Sequence, residues 1–238
     1  MSWAARRLYK QATVEAEPEG GFAVALDGRK IKSPAGRLLI APTRCLAQAI
    51  AEEWAGQGDK IDPLTMPLMR LLCTTIDRVS PDRGSVVDQV VTFAVTDLLC
   101  YRAEAPEDLV QRQEETWRAL LDWAEETHGA ALVVTRGIVP VDQSAAAVAA
   151  FRKAVHVLDD FELTALANGA ATAGSLVIGL ALVAGRLDAD GAFAAAELDA
   201  SFQIERWGAD DEATARRRLV LGDLKTIERF VRLSRDRR

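Results

Sequence analysis

Residues 163–185 form a run of 23 positions without a charge, and no other feature constrains the fold as strongly. About 20 apolar residues suffice to cross a bilayer, so the run is either a membrane span or a segment buried on all sides by protein. Its own content favours burial. Thr164, Asn168, Thr172, Ser175 and four glycines interrupt it, and Asp159, Asp160 and Glu162 crowd one end. The Trp and Tyr belt that marks a membrane interface is missing. The expectation is a central helix over 161–185, apolar all round and surrounded by other helices. A membrane-associated factor built on 163–185 is the rival reading.

Composition supports a packed core. Of 238 residues, 49% are hydrophobic and 27% charged, enough to bury one large domain or two small ones. The formal charge of −6 argues against a nucleic-acid partner, which calls for a basic face. Three cysteines at 45, 73 and 100 make no C-x-x-C pair, so they read as small apolar residues in a reducing compartment. With only His128 and His156 present, no metal site is expected. The first ten residues contain no apolar signal core and run quickly into strand-like sequence, so neither a secretory signal nor a transit peptide is expected.

The first forty residues carry period-two patterning. The segment 22–26, the turn pair Asp27-Gly28 and the segment 29–32 form a hairpin signal, because Asp-Gly accepts the positive φ values of a type I′ turn. Ser33-Pro-Ala-Gly36 is a second turn, 37–40 a further strand, and 8–14 one more. So small a sheet needs a cover. Thr43 is placed to cap a helix in which Leu46, Ala49, Ile50 and Trp54 recur at helical spacing before Gly56 and Gly58. Helical patterns follow over 66–79, 84–101, from Pro106 to Gly129, then 142–158, 161–185, 189–206 and 210–235. Residues 131–135 read as a strand or a connector. Of 41 alanines, 19 lie between 145 and 200, a density that lets helix axes approach closely. The fold class is therefore α+β: a small N-terminal antiparallel β-rich unit with a covering helix at 1–95, then a larger multi-helical domain at 96–238. Residues 216–238 carry nine basic and three acidic residues, a net +6 that leaves −12 on the rest. The basic end suits the helix dipole or an acidic partner.

No catalytic signature is present. G-x-S-x-G, H-E-x-x-H, the Walker loop and G-x-G-x-x-G are all missing. Gly20-Gly21 precedes a strand, where it offers no helix N–H groups to a phosphate. Glu52-Glu53 and Asp159-Asp160 are solvated helix ends in this reading, and Cys100 is packing. No catalytic, cofactor or metal residue is assigned; an enzyme with a cleft between the two units remains the other rival.

The ordered motifs are more specific. Gly21-Phe-x-Val-x-Leu-Asp-Gly-Arg-x-Ile-Lys-Ser-Pro-Ala-Gly36 and Leu39-x-x-Pro-Thr-x-x-Leu-Ala-x-Ala-Ile-Ala-x-Glu-Trp54 are followed by five more blocks. These are Gln57-Gly58 through Asp62-Pro63, Met66-Pro-Leu-x-Arg-Leu71, Ile76-Asp-Arg-Val79, Thr96-Asp-Leu-Leu-Cys-Tyr-Arg102 and Gln203-Ile-Glu-Arg-Trp-Gly208. Together they resemble, in order, the assembly chaperones of the F-type ATP synthase catalytic sector, specifically the alpha-subunit-binding assembly factor 2 family. The resemblance implies a chaperone that hydrolyses no nucleotide. It would hold unassembled alpha subunit, shield the surface later buried against beta, and be a monomer when free. It further implies the bacterial cytoplasm, or the mitochondrial matrix for a processed form. Met69 and Cys73 stand where the family pattern has Thr and Asn, removing two hydrogen-bonding groups. Mitochondrial relatives place acidic residues just before the Gln-x-x-x-Trp-Gly block; here Asp199 precedes Ala200 and Ser201, so the resemblance implies that role for Asp199 or Glu205. Trp and Arg dominate interface hot spots, which makes Trp207, Arg206 and Trp54, with Glu53 beside it, the remaining contact candidates. Trp54 also fits core packing in the stripe with Leu46 and Ile50. Tyr101 and Arg102 end a helix and read equally as a fastening between the units.

Overall fold

The computed structural model describes residues 6–137 and 139–236. The chain divides into two compact units, Met1–Arg83 with Arg229–Arg238, and Gly84–Glu228.

In the first unit the local chemistry of the N-terminal residues makes the sheet. Strands β1 (Ala12–Ala16), β2 (Phe22–Leu26), β3 (Arg29–Lys30) and β4 (Ile40–Ala41) are all antiparallel. β1 runs along one edge of β2, while β3 and β4 share the other. Asp27 and Gly28 adopt φ of 47° and 78°, the two positive values a type I′ hairpin demands. The Asp27 carboxylate also accepts from the Lys10 and Gln11 N–H groups. Gly21 allows β4 to approach, since a Cβ there would lie 2.6 Å from Ile40 Cγ2 and 2.9 Å from the Ala41 carbonyl oxygen.

Helix α1 (Arg44–Ala55) covers this sheet and buries Leu46, Ala47, Ala49, Ile50 and Ala51. Thr43 caps it as expected, its Oγ1 accepting from the Leu46 N–H at 3.1 Å. Helix α2 (Pro67–Thr74) follows, continued by a π-helical turn at Thr75–Val79. The Ser33 turn is locked to that turn: Ser33 Oγ and the Ala35 N–H both donate to Asp77, at 2.6 and 3.1 Å. Gln57 is buried and knits its own loop, donating to Glu53 O and Thr65 Oγ1 and accepting from the Asp62 N–H.

The second unit is helical: α3 (Arg83–Thr92), α4 (Glu107–His128), α5 (Ala145–His156), α6 (Asp160–Ala173), α7 (Leu176–Ala184), α8 (Ala189–Ala196), α9 (Leu198–Trp207) and α10 (Asp211–Arg235) as far as Glu228. Its centre is the uncharged run, which is buried but forms two helices instead of one. Gly174 takes φ +66° and ends α6, and Ser175 starts α7 by accepting from the Ile178 N–H. The pair folds back tightly. A Cβ on Gly179 would meet Ala170 N and Leu166 Cδ1 at 3.0 Å. Eight of the nine α7 residues are buried, as a helix apolar on every side must be. No helix among the described residues is long and apolar enough to cross a membrane.

Other expected helices break for similar reasons. The 84–101 segment is helical only to Thr92. Asp97 then turns the chain by accepting from the Leu99 N–H, and Tyr101–Arg102 becomes strand β5. Its partner is β6 (Thr135–Arg136), parallel, so most of 131–135 is connector. The 189–206 segment divides at Glu197, whose backbone (φ −106°, ψ 23°) leaves the helix between α8 and α9.

The first compact unit runs to Arg83, and Arg229–Arg238 joins it. Nonlocal packing brings them together. Phe230 and Val231 of α10 are buried, and Thr43 Oγ1 donates to the Leu233 carbonyl at 2.6 Å.

Candidate functional site

Four of the six candidate contact residues sit on α9, and its seating on α4 determines what each can do. The seam is made by Phe202, 2% exposed. The Arg206 and Arg112 guanidinium groups lie 4.5 and 5.3 Å from its ring centroid. Arg112 in turn pairs with Glu205 at 2.6 Å, and Arg206 with Asp108. These ion pairs are about half exposed, so they set geometry more than they stabilise.

Asp199 is half-buried one turn nearer the start of α9. Gln113 Nε2 donates to its Oδ1 at 2.7 Å. Gln113 is 1% exposed, and its Oε1 accepts from the Ala103 N–H at 2.7 Å, so the amide is fixed from both ends. One turn along α4, Trp117 Nε1 donates to the Ala195 carbonyl. The Arg102 guanidinium stacks over the Trp117 ring at 5.0 Å and is 4% exposed; burial lowers its pKa, with Glu114 at 3.7 Å opposing the shift. Arg102 thus belongs to this network, and with Tyr101 it forms the short β5–β6 pair.

Trp207 differs from these residues. It ends α9 with 74% of its surface exposed, beside Gly208, whose φ +84° and ψ 165° belong to a region essentially reserved for glycine. The sharp turn into α10 leaves a cleft of about 210 Å³ lined by Ala200, Gln203, Ile204, Trp207, Ala213 and Arg216. Two of its lining residues are held by Glu197, which accepts from Arg216 at 2.6 Å and Arg217 at 3.0 Å.

The remaining two candidates lie on α1 in the first unit and have structural partners there. The Glu53 carboxylate accepts from the Leu68 and Met69 N–H groups at 2.8 and 2.9 Å. It thereby caps α2, whose own N-cap Met66 supplies no side-chain bond. Burial raises its pKa against the pull of those two bonds. Trp54 is half-buried, edge-on to Tyr9 at 5.8 Å, and Tyr9 Oη donates to the Trp54 carbonyl.

Sequence reasoning missed Gln113, Trp117 as a hydrogen-bond donor, and Glu197. Gln113 had a legible signal: it interrupts the apolar stripe of Leu109, Trp117, Leu120 and Ala124 at helical spacing. A polar residue in such a stripe needs a buried partner. Glu197 had none, because its ligands come from 19 and 20 residues away.

A family model, the ATP12 chaperone protein, matches residues 6–125. The chain is 26% identical over 220 residues to protein atp12, mitochondrial, of Schizosaccharomyces pombe, covering 87% of this chain and 75% of that protein. The crystal structure of Atp12 from Paracoccus denitrificans superposes with a TM-score of 0.91 at 43% identity, over 98% of this chain and 100% of that one. The Atu1473 protein of Agrobacterium tumefaciens gives a TM-score of 0.90 at 37% identity, over 95% of this chain and 85% of that one. The chain belongs to the ATP12 chaperone family, the ATP synthase assembly chaperones whose sequence blocks it carries in order.

Proposed function

We propose that the protein holds the unassembled alpha subunit of ATP synthase and covers the surface that later meets beta, without hydrolysing nucleotide. The observation that carries this reading is the geometry of α9. At its end an indole 74% exposed stands beside a cleft that mixes Ala200, Ile204 and Ala213 with Gln203, Asp210, Arg216 and Arg217, and on the side toward α4 Asp199 and Glu205 are held in position by Gln113 and Arg112. A client that exposes an interface with apolar and basic groups has both kinds of complement on one helix. Such a surface, with an aromatic anchor and a polar rim, suits reversible protein binding.

Capture of purified alpha subunit, with and without ATP, tests this reading. Equal binding in both conditions is expected. Binding that requires ATP, or no binding at all, would overturn it. Within α9 the contributions are separable: Asp199→Lys should abolish capture, whereas Glu53→Gln should lower stability through α2 and leave capture by the folded protein intact.

A further inference from the structure

We infer that the free edge of β1 takes up an extended segment of the client as an added strand, a second contact that rests on the alpha-subunit reading above. The argument starts from register. β1 pairs with β2 from Ala12↔Leu26 to Ala16↔Phe22, and the flanking bonds run from Asp27 N–H to Gln11 O and from Glu17 N–H to Gly21 O. In an antiparallel ladder bonded pairs alternate with unbonded ones, so residues 11, 13, 15 and 17 face β2. The N–H and C=O groups of Ala12, Val14 and Ala16 therefore point the other way. β1 ends the sheet order, and no backbone group among the described residues pairs with that edge.

Several common protections are missing from the strand itself. Folded proteins blunt such edges with proline, charged side chains, a bulge, a very short strand or a covering element, and Glu15 is the one charged residue on β1. β1 has five residues, Ala-Thr-Val-Glu-Ala, in unbroken register, with neither proline nor lysine. An open edge of this kind matches an extended backbone, and affinity comes from main-chain bonds while flanking side chains select sequence. Those side chains are acidic at one end, where Glu15, Glu17 and Glu19 follow one another; Lys30 pairs with Glu17 at 2.7 Å. The chemistry selects an extended segment with a basic residue at the Glu15–Glu19 end.

NMR-detected hydrogen exchange of the full chain, alone and with purified alpha subunit, tests the edge directly. Alone, the Thr13 and Glu15 amides are expected to be protected and those of Ala12, Val14 and Ala16 to exchange freely. With alpha subunit all five should be protected. Ala16→Pro, which removes an outward N–H and no ladder bond, should weaken capture about tenfold at an unchanged melting temperature. Capture of alpha with no new protection at the three even-numbered amides overturns the strand inference and leaves the α9 reading standing. Protection that grows with this protein's own concentration, without alpha, overturns it in favour of a second copy at the edge. Protection already present in the dilute free protein overturns it outright. Failure to capture alpha at all overturns both readings.

Discussion

Asp97 shows how one side chain can carry the electrostatics of a whole core. It is fully buried and accepts from the Leu99 and Val177 N–H groups, with further bonds from Ser175 and the Leu176 N–H, so it organises the start of α7. Desolvation nevertheless outweighs those bonds and lifts its pKa from 3.8 to about 6. Because the folded state then binds the proton more tightly than the unfolded one, this group's contribution to stability falls as pH rises from about 4 to about 6, and is level above. A two-unit shift corresponds to about 3 kcal/mol. Denaturant unfolding of the wild type and Asp97→Asn across pH 4–7 should show the wild type losing stability of that order relative to the variant as pH rises; parallel curves would refute it. The thiols follow the same physics. Burial pushes Cys100 up to about 12 and Cys73 to about 11, the former helped by Asp97 and the latter by Asp77. Native protein at pH 8 should leave Cys100 unmodified by iodoacetamide, with labelling only after denaturation. At Trp207 exposure decides the matter: Trp207→Ala should change unfolding free energy by no more than about 0.5 kcal/mol while weakening client capture. A large fall in melting temperature would show the indole to be packing.

Among the elements, the α6–α7 hairpin sets the tolerance of the core. Its helices approach closely enough for Gly169 and Gly179 to face one another, with a Cβ on Gly169 lying 3.6 Å from the Gly179 Cα. At Gly179 the neighbours include the Ala170 backbone nitrogen, which cannot step aside as a flexible side chain would. Gly179→Ala should therefore destabilise by about 1–3 kcal/mol despite its better helix propensity, measured by chemical unfolding. Gly222, exposed on α10 with nothing within 4 Å of an added methyl, is the control. There Gly222→Ala should stabilise by up to about 1 kcal/mol. On α9 the division of labour is by face. Phe202 and the Arg112–Glu205 pair fasten the helix to α4, and Trp207 with Ile204 and Ala200 stays available at the cleft.

At the scale of the whole molecule, the two units are not consecutive pieces of chain. The first contains the sheet, α1 and α2, and is completed by the last turns of α10. Phe230 is fully buried there, and the Thr43–Leu233 bond joins the first helix cap to the end of the chain across 190 positions. Phe230→Ala should cost about 3–5 kcal/mol and accelerate proteolysis of the N-terminal sheet. Selective cleavage confined to 84–228 would contradict this account. The charge division gains a physical meaning as well. Among the described basic residues of this stretch, Arg218, Lys225, Arg229, Arg232 and Arg235 are exposed, whereas Arg217 is folded in against Glu197 and the Phe193 ring.

Local chemistry alone determined much of this. The Asp27-Gly28 turn, the Thr43 cap, the apolar stripe of α1 and the burial of 163–185 were legible because each depends on residues within a few positions of one another. The ordered blocks also identified the family, since their spacing was visible without coordinates. Tertiary structure decided what local pattern could not express. The break at Gly174 looks like any glycine in a helical run until Ser175 and Asp97 are seen to share the start of α7. In the sequence Glu53 and Trp54 are adjacent contact candidates, and Trp54 fits core packing as well. The fold gives each a structural partner: Glu53 caps a helix that begins 14 residues later, and Trp54 packs on Tyr9, 45 residues earlier. Gln113 and Glu197 gained their roles from partners 86 and about 20 residues away. A buried polar group must find a partner somewhere in the fold, and only the packed chain brings that partner within hydrogen-bond distance.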